Sequence, residues 1–159
     1  MAIDVFSYLE ELGRERYRAV ILHAAPLIGR KLTEFCQKVC HSLQGKYINL
    51  LDFFLQSQSL SAAIDRFSPE KLQDLIIEQS DHQSLIVIDQ MDFLIDTWRK
   101  SERQNFYRFV ANQWDGYKEG MKARLIFCLQ TSSEIAQLSL TDSQGRSRIL
   151  QLSDFQDLL

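Results

Sequence analysis

The sequence predicts a three-layer αβα sandwich built on a parallel sheet of about five strands, and three observations carry that expectation. The first is a series of short apolar runs: AVILHA (Ala19–Ala24), KYINL (Lys46–Leu50), LIVI (Leu85–Ile88), RLIFCL (Arg124–Leu129) and Arg148–Leu152. Runs that stay apolar instead of alternating with polar residues belong to strands covered on both faces. The second is that these runs alternate with stretches of helical periodicity, which implies right-handed crossovers with helices on both faces of a parallel sheet. The third is the absence of a Pro/Gly-rich linker, a repeat or a low-complexity tract in 159 residues. One domain, 1–159, is expected, large enough to bury a core without disulfides or metals.

Each element has its own local reason. Ile3, Phe6, Leu9 and Leu12 recur at helical spacing, with Asp4 as a start and Gly13 as a stop. After the first strand come a turn over Pro26–Lys31 and a helical stripe of Leu32, Phe35, Cys36, Val39 and Leu43, closing near Gly45. The second strand leads into a mostly helical stretch, Leu60–Gln79, restarted at Ser68-Pro69-Glu70 because Ser caps and Pro fits the first turn. Beyond the third strand, Phe106, Phe109, Val110 and Trp114 mark one face of a helix over Ser101–Trp114, which closes in Gly116 and Gly120. Ser132-Ser133-Glu134 opens a short helical stretch to about Leu140, and the polar turn Thr141–Arg146 precedes the fifth strand.

Bulk charge narrows the function classes. The net charge is -3, so no global basic field drives binding to nucleic acid or acidic membranes, although a local basic patch stays open. The three cysteines Cys36, Cys40 and Cys128 form no CxxC or Cys/His metal pattern and fit a reducing cytoplasm. The acid-containing start lacks the features of a secretory signal, and no apolar segment has bilayer-spanning length, so no membrane partner is expected. His23 reads as a core or edge histidine, because His41 and His82 are remote in sequence.

The chemistry concentrates where strands end. Leu85–Ile88 runs straight into Asp89, and Asp92 follows. Ligands of parallel sheets sit beyond the carboxyl ends of the strands, so a carboxylate there can hold a metal ion or a water; the plainer reading is a capping or loop-anchoring aspartate. The turn after the first strand, APLIGRKL (Ala25–Leu32), is where a phosphate loop would lie. Against GxxxxGK[ST], Lys31 meets the lysine position and Pro26 and Gly29 are loop-like. Ala25 and Arg30 stand where glycines let the backbone turn its amides inward, and Leu32 replaces the hydroxyl that helps hold Mg²⁺. An ordinary strand-to-helix turn with a surface lysine is the alternative.

Taken together, the near-loop after the first strand, the aspartate ending the third, and the polar pair Gln130 and Thr131 ending the fourth resemble the P-loop NTPases of the additional-strand type, which include the AAA+ ATPases. In that class the third strand ends in a magnesium-binding aspartate and the fourth in a residue that senses the γ-phosphate. The resemblance therefore implies ATP and Mg²⁺ as ligands, with Asp89 at the metal and Gln130 as a sensor-like residue. It places Ala25, Pro26, Gly29, Arg30, Lys31 and Leu32 along the nucleotide. The run IDQMDFLID, with KYINLL before it, is similar to the small P-loop proteins of BREX phage-defence systems, the BrxF family. Gln90 stands where the catalytic glutamate is usual; it can orient a water but cannot accept its proton, which leaves Asp92 as the substitute. A fold without the helical lid common in AAA+ proteins is expected.

Three functions follow as expectations. The first is an ATPase-like accessory or assembly protein of a prokaryotic defence complex, with a decayed nucleotide site, binding itself or a larger protein and reaching DNA through that assembly. The second is a slow Mg-ATP hydrolase using Lys31, Asp89, and Asp92 or Gln90. The third is a scaffold that binds no nucleotide. Arg99, Lys100, Arg103 and Arg108, interleaved with Phe106, Tyr107 and Phe109, read either as a DNA- or partner-contacting surface, as an arginine donated to a neighbouring subunit, or as an ordinary solvated helix face. Arg146 and Arg148 are weaker candidates for a donated arginine.

Overall fold

The computed structural model describes residues 2–158, so the first and last residues of the expected 1–159 domain lie outside the described residues. Five strands form one sheet in the order β2-β3-β4-β1-β5, and every adjacent pair is parallel. They are β1 (Ala19–Ala24), β2 (Lys46–Asn49), β3 (Leu85–Asp89), β4 (Arg124–Gln130) and β5 (Ile149–Gln151). β1 and β3 are buried along their whole length, as their uninterrupted apolar runs require.

Successive strand residues alternate between two cores. Val20, Leu22, Leu85, Val87, Ile126 and Cys128 face α1 (Val5–Leu12) and α2 (Gly29–Ser42), meeting Leu9, Leu12, Leu32, Cys36 and Val39. Ile21, Ile86, Ile88, Leu125, Phe127 and Leu129 face the opposite layer. That layer contains α3 (Leu50–Leu55), α4 (Gln58–Ala62), α5 (Pro69–Gln79), α6 (Asp92–Thr97), α7 (Lys100–Asn112) and α8 (Ser133–Ala136). Its centre is aromatic: Phe106 stands edge-on to Phe127 at 5.1 Å, and the buried Trp114 indole donates to the Ala123 carbonyl at 2.7 Å. Burying each such side chain stabilises by about 1.5–3 kcal/mol, and truncating Phe127 to alanine would cost about 3–5 kcal/mol because a cavity remains.

The caps act as their residue types dictate. Asp4 accepts from the Phe6 amide at 3.0 Å, Ser68 from Lys71 at 3.3 Å and Ser132 from Ile135 at 3.2 Å. Three expected element bounds need correction, and one helix is additional. Pro26–Ile28 coils as a 3-10 turn and α2 begins at Gly29, three residues before the expected helical stripe. Leu50 opens α3 instead of ending β2, because Asn49 caps that helix by accepting from Asp52 at 3.1 Å. α6 is a separate short helix between β3 and α7 that was not anticipated. α8 ends at Ala136 and does not reach Leu140.

Candidate functional site

β1, β3 and β4 end on the same side of the sheet, where α2 leaves β1 across one face and α6 leaves β3 across the other. Divergence of the crossover helices opens a crevice beyond the strand ends. It has a volume of about 370 Å³ and is lined by Ala24, Pro26, Gly29, Arg30, Leu32, Thr33, Asp89, Gln90, Asp92, Cys128, Leu129 and Gln130. Of the residues singled out from sequence, Pro26, Gly29, Arg30, Leu32, Asp89, Gln90, Asp92 and Gln130 come together here, while Ala25 and Lys31 are not among the lining residues. Helical geometry explains the split. Arg30 and Thr33 are three apart and share the cleft face of α2, whereas Lys31 lines a separate groove with Glu34, Phe35 and Lys38.

The loop between β1 and α2 is not a phosphate nest. Anion-cradling loops turn successive amides inward by alternating right- and left-handed backbone. The described non-glycine residues with positive φ are Gln44, His82 and Gln90, and the glycines are Gly120 and Gly145, so none falls between Ala25 and Leu32. Gly29 itself has helical φ -57° and ψ -35°, and a Cβ built there meets nothing within 4 Å. Neither conformation nor space demands glycine at this position.

Asp89 is the centre of the cleft's polar network. It has the strand parity of Leu85 and Val87, which face α2, so its carboxylate turns toward that helix. Its Oδ2 accepts from Thr33 Oγ1 at 2.7 Å and from the Tyr47 hydroxyl at 2.5 Å, and its Oδ1 accepts from the Gln90 amide at 2.8 Å. Gln90 reaches that geometry with φ +58°, and its Nε2 lies 3.4 Å from Thr33 Oγ1. Asp89 is only 4% exposed, yet no ion pair among the described residues includes it. Its donors among the described residues are neutral. Burial, and next the hydrogen bond to Asp89, push the Tyr47 phenol well above its ordinary pKa, so it stays protonated and donating.

Asp92 has a different task. Its Oδ1 accepts from the Gln130 amide at 2.9 Å, tying the start of α6 to the end of β4. Burial raises its pKa, an effect opposed by that amide and reinforced by Asp96 and Asp89. On β1, His23 Nδ1 lies 2.8 Å from Thr131 Oγ1, and burial lowers the imidazole's pKa, as fits a core histidine. Beneath the cleft the Cys36 and Cys128 sulfurs are 3.3 Å apart; all three cysteines are free and buried.

Do these residues fit Mg²⁺ and a triphosphate? No group of three or more His, Cys, Asp or Glu side chains among the described residues is arranged to hold a metal ion. Asp89 already accepts three hydrogen bonds, the loop offers no amide nest, and the lysine expected at the phosphates lies outside the cleft lining. The set does not fit a tightly held Mg-nucleotide.

Sequence reasoning missed Thr33 and Tyr47. Thr33 lies one residue beyond the position tested for a hydroxyl, and a helix start at Gly29 would have placed it on the face of Arg30. Tyr47 pairs in register with Val87 and Asn49 with Asp89, so strand alternation puts the phenol on the Asp89 face. The basic segment is partly spoken for: Arg103 grips Glu134 at 2.8 and 3.0 Å and donates to the Trp98 carbonyl, leaving Arg99, Lys100 and Arg108 exposed. Arg146 pairs with Glu11 and Asp142, and Arg148 is buried, donating to the carbonyls of Ala19, Val110 and Ala111. The expectation of Arg148 as a donated arginine is therefore corrected: its guanidinium serves the fold. No helix among the described residues is long and apolar enough to cross a membrane. No protein-family model matches the chain, and no curated protein matches it at a significant level.

Proposed function

We propose that this chain is an accessory or assembly domain related to the additional-strand P-loop NTPases, with a nucleotide site that has decayed to a self-satisfied polar cleft. The observation that carries the reading is Asp89: a strand-end carboxylate at the mouth of the sheet, closed by Thr33, Tyr47 and its own following amide. The placement of β4 between β3 and β1 supports the relationship, since an extra strand between the phosphate-loop strand and the aspartate strand gives that class its name. A defence complex of the BREX kind is the assembly we favour, on the resemblance of IDQMDFLID and KYINLL. Leu27 and Leu55, 98% and 69% exposed, follow the carboxyl ends of β1 and β2 and support docking on another protein or a second copy on this side of the sheet.

Two observations favour the slow-hydrolase alternative. Arg30, in the first turn of α2, lines the cleft as a cation, and the Thr33 hydroxyl is bonded to Asp89. Steady-state phosphate release with Mg-ATP, with and without DNA, separates the two. The accessory reading expects a rate indistinguishable from a no-protein control, because Asp89 is taken up by Thr33, Tyr47 and Gln90 and Asp92 by the Gln130 amide. Turnover that disappears in Asp89→Asn with the fold intact sinks it.

A further inference from the structure

The buried Asp89 carboxylate pairs with no cationic side chain among the described residues, which poses an electrostatic question. A buried anion is costly unless a counter-ion or several donors compensate it. Here two hydroxyl protons point at one oxygen, Oδ2, from α2 and from β2. The Tyr47 contact, at 2.5 Å, lies in the range of a charge-assisted O–H to carboxylate bond, among the strongest a neutral donor makes. Register fixes it as well: Tyr47 sits beside Val87 on the neighbouring strand, and its half-buried ring packs with the α1–α2 core. The phenol is thus held in place by sheet pairing and packing, independently of the loop that would carry a phosphate.

We propose that Tyr47 is a built-in neutral stand-in for a cation at Asp89, and that its hydroxyl closes Oδ2 of this carboxylate to hard divalent metal ions. A metal approaching Oδ2 meets the positive ends of two O–H dipoles and must first break the Tyr47 bond. Removing the phenol oxygen frees a lone pair on Oδ2 of a carboxylate that lines the cleft. Tyr47 acts through Asp89 and is a positioning residue. The inference deepens the decayed-site reading and rests on it, since it names the contact that would exclude a metal from Asp89.

Mn²⁺ titration of the full chain, read by electron paramagnetic resonance of the free ion, tests it with the wild type, Tyr47→Phe and the double variant Tyr47→Phe/Asp89→Asn. Tyr47→Phe should bind at least about tenfold more tightly than wild type, the scale of one charge-assisted hydrogen bond, and the double variant should lose the gain. Equal affinities of wild type and Tyr47→Phe, or a gain that survives Asp89→Asn, overturn the proposal. A reading independent of any variant comes from the wild-type amide resonances of Asp89 and Gln90. They should stay sharp at Mn²⁺ concentrations where ordinary carboxylate sites fill, and selective broadening of that pair overturns the proposal too. The two readings fail separately: Mg-ATP turnover by the wild type removes the decayed site, whereas equal Mn²⁺ affinities remove only the role of Tyr47.

Discussion

Thr33 Oγ1 donates to Asp89 Oδ2 across 2.7 Å, joining residues 56 positions apart and fastening the first turns of α2 to the end of β3. A hydroxyl in that place can assist a metal or satisfy an acid. With Tyr47 on the same oxygen, it does the second.

Thr33→Val keeps the shape of the side chain and removes the donor. Asp89 then keeps two of its donors while 4% exposed, and the loss should be about 1–3 kcal/mol of unfolding free energy. Urea denaturation measures it. An unchanged midpoint would mean that water from the cleft replaces the hydroxyl without cost.

Asp92 should make the protein less stable as pH rises. Burial raises its folded pKa above the unfolded value, so between the two the folded state holds the extra proton. The contribution is fully present below the unfolded pKa, near 3.9, and is lost as pH rises from there through the folded pKa. Asp92→Asn, which keeps an acceptor for the Gln130 amide, should flatten that part of the profile. Denaturation midpoints of both proteins across the acidic range check it; parallel profiles would contradict it.

Arg148 holds the far end of the sheet. Its guanidinium donates at 3.0 Å to Ala19, 3.1 Å to Val110 and 2.6 Å to Ala111, the last two near the end of α7. Arg148→Ala strands these carbonyls and should cost about 3 kcal/mol or more. Thermal unfolding of Arg148→Ala and Arg148→Lys should show a large loss in the first and partial recovery in the second.

The basic helix separates into structural and free cations. Arg103→Ala breaks a bidentate pair with Glu134 that is 24% and 32% exposed at its two side chains, along with a bond to Trp98, and should cost about 1–2 kcal/mol. Arg108→Glu changes an exposed residue whose hydrogen-bond partner among the described residues is Asn105, one turn away, and should stay within about 0.5 kcal/mol. If α7 is a partner surface, Arg108→Glu weakens co-purification of that partner without moving the unfolding midpoint.

What the sequence makes legible is local. β1 and β3 follow from unbroken apolar runs, α5 from the Ser68-Pro69 start, and the position of Asp89 from the place where Leu85–Ile88 ends. α6 escapes because Asp92–Thr97 is too short for a helical stripe and follows the left-handed turn at Gln90. The start of α2 is misplaced because Pro26 and Gly29, which suit a helix's first turn, also suit a phosphate loop. Tyr47 and Thr33 reach Asp89 across 42 and 56 residues, a juxtaposition that depends on strand order and register and that no local pattern encodes.

The most direct test of the decayed cleft is calorimetric titration of Mg-ATP into the wild-type chain, beside Lys31→Ala and Asp89→Asn. The account predicts no saturable heat in the micromolar range for the wild type, and a Lys31→Ala protein of unchanged stability, because that side chain is exposed and outside the cleft lining. Micromolar binding with one site per chain, abolished by Asp89→Asn, would contradict it and make Arg30 and Thr33 parts of a live phosphate site.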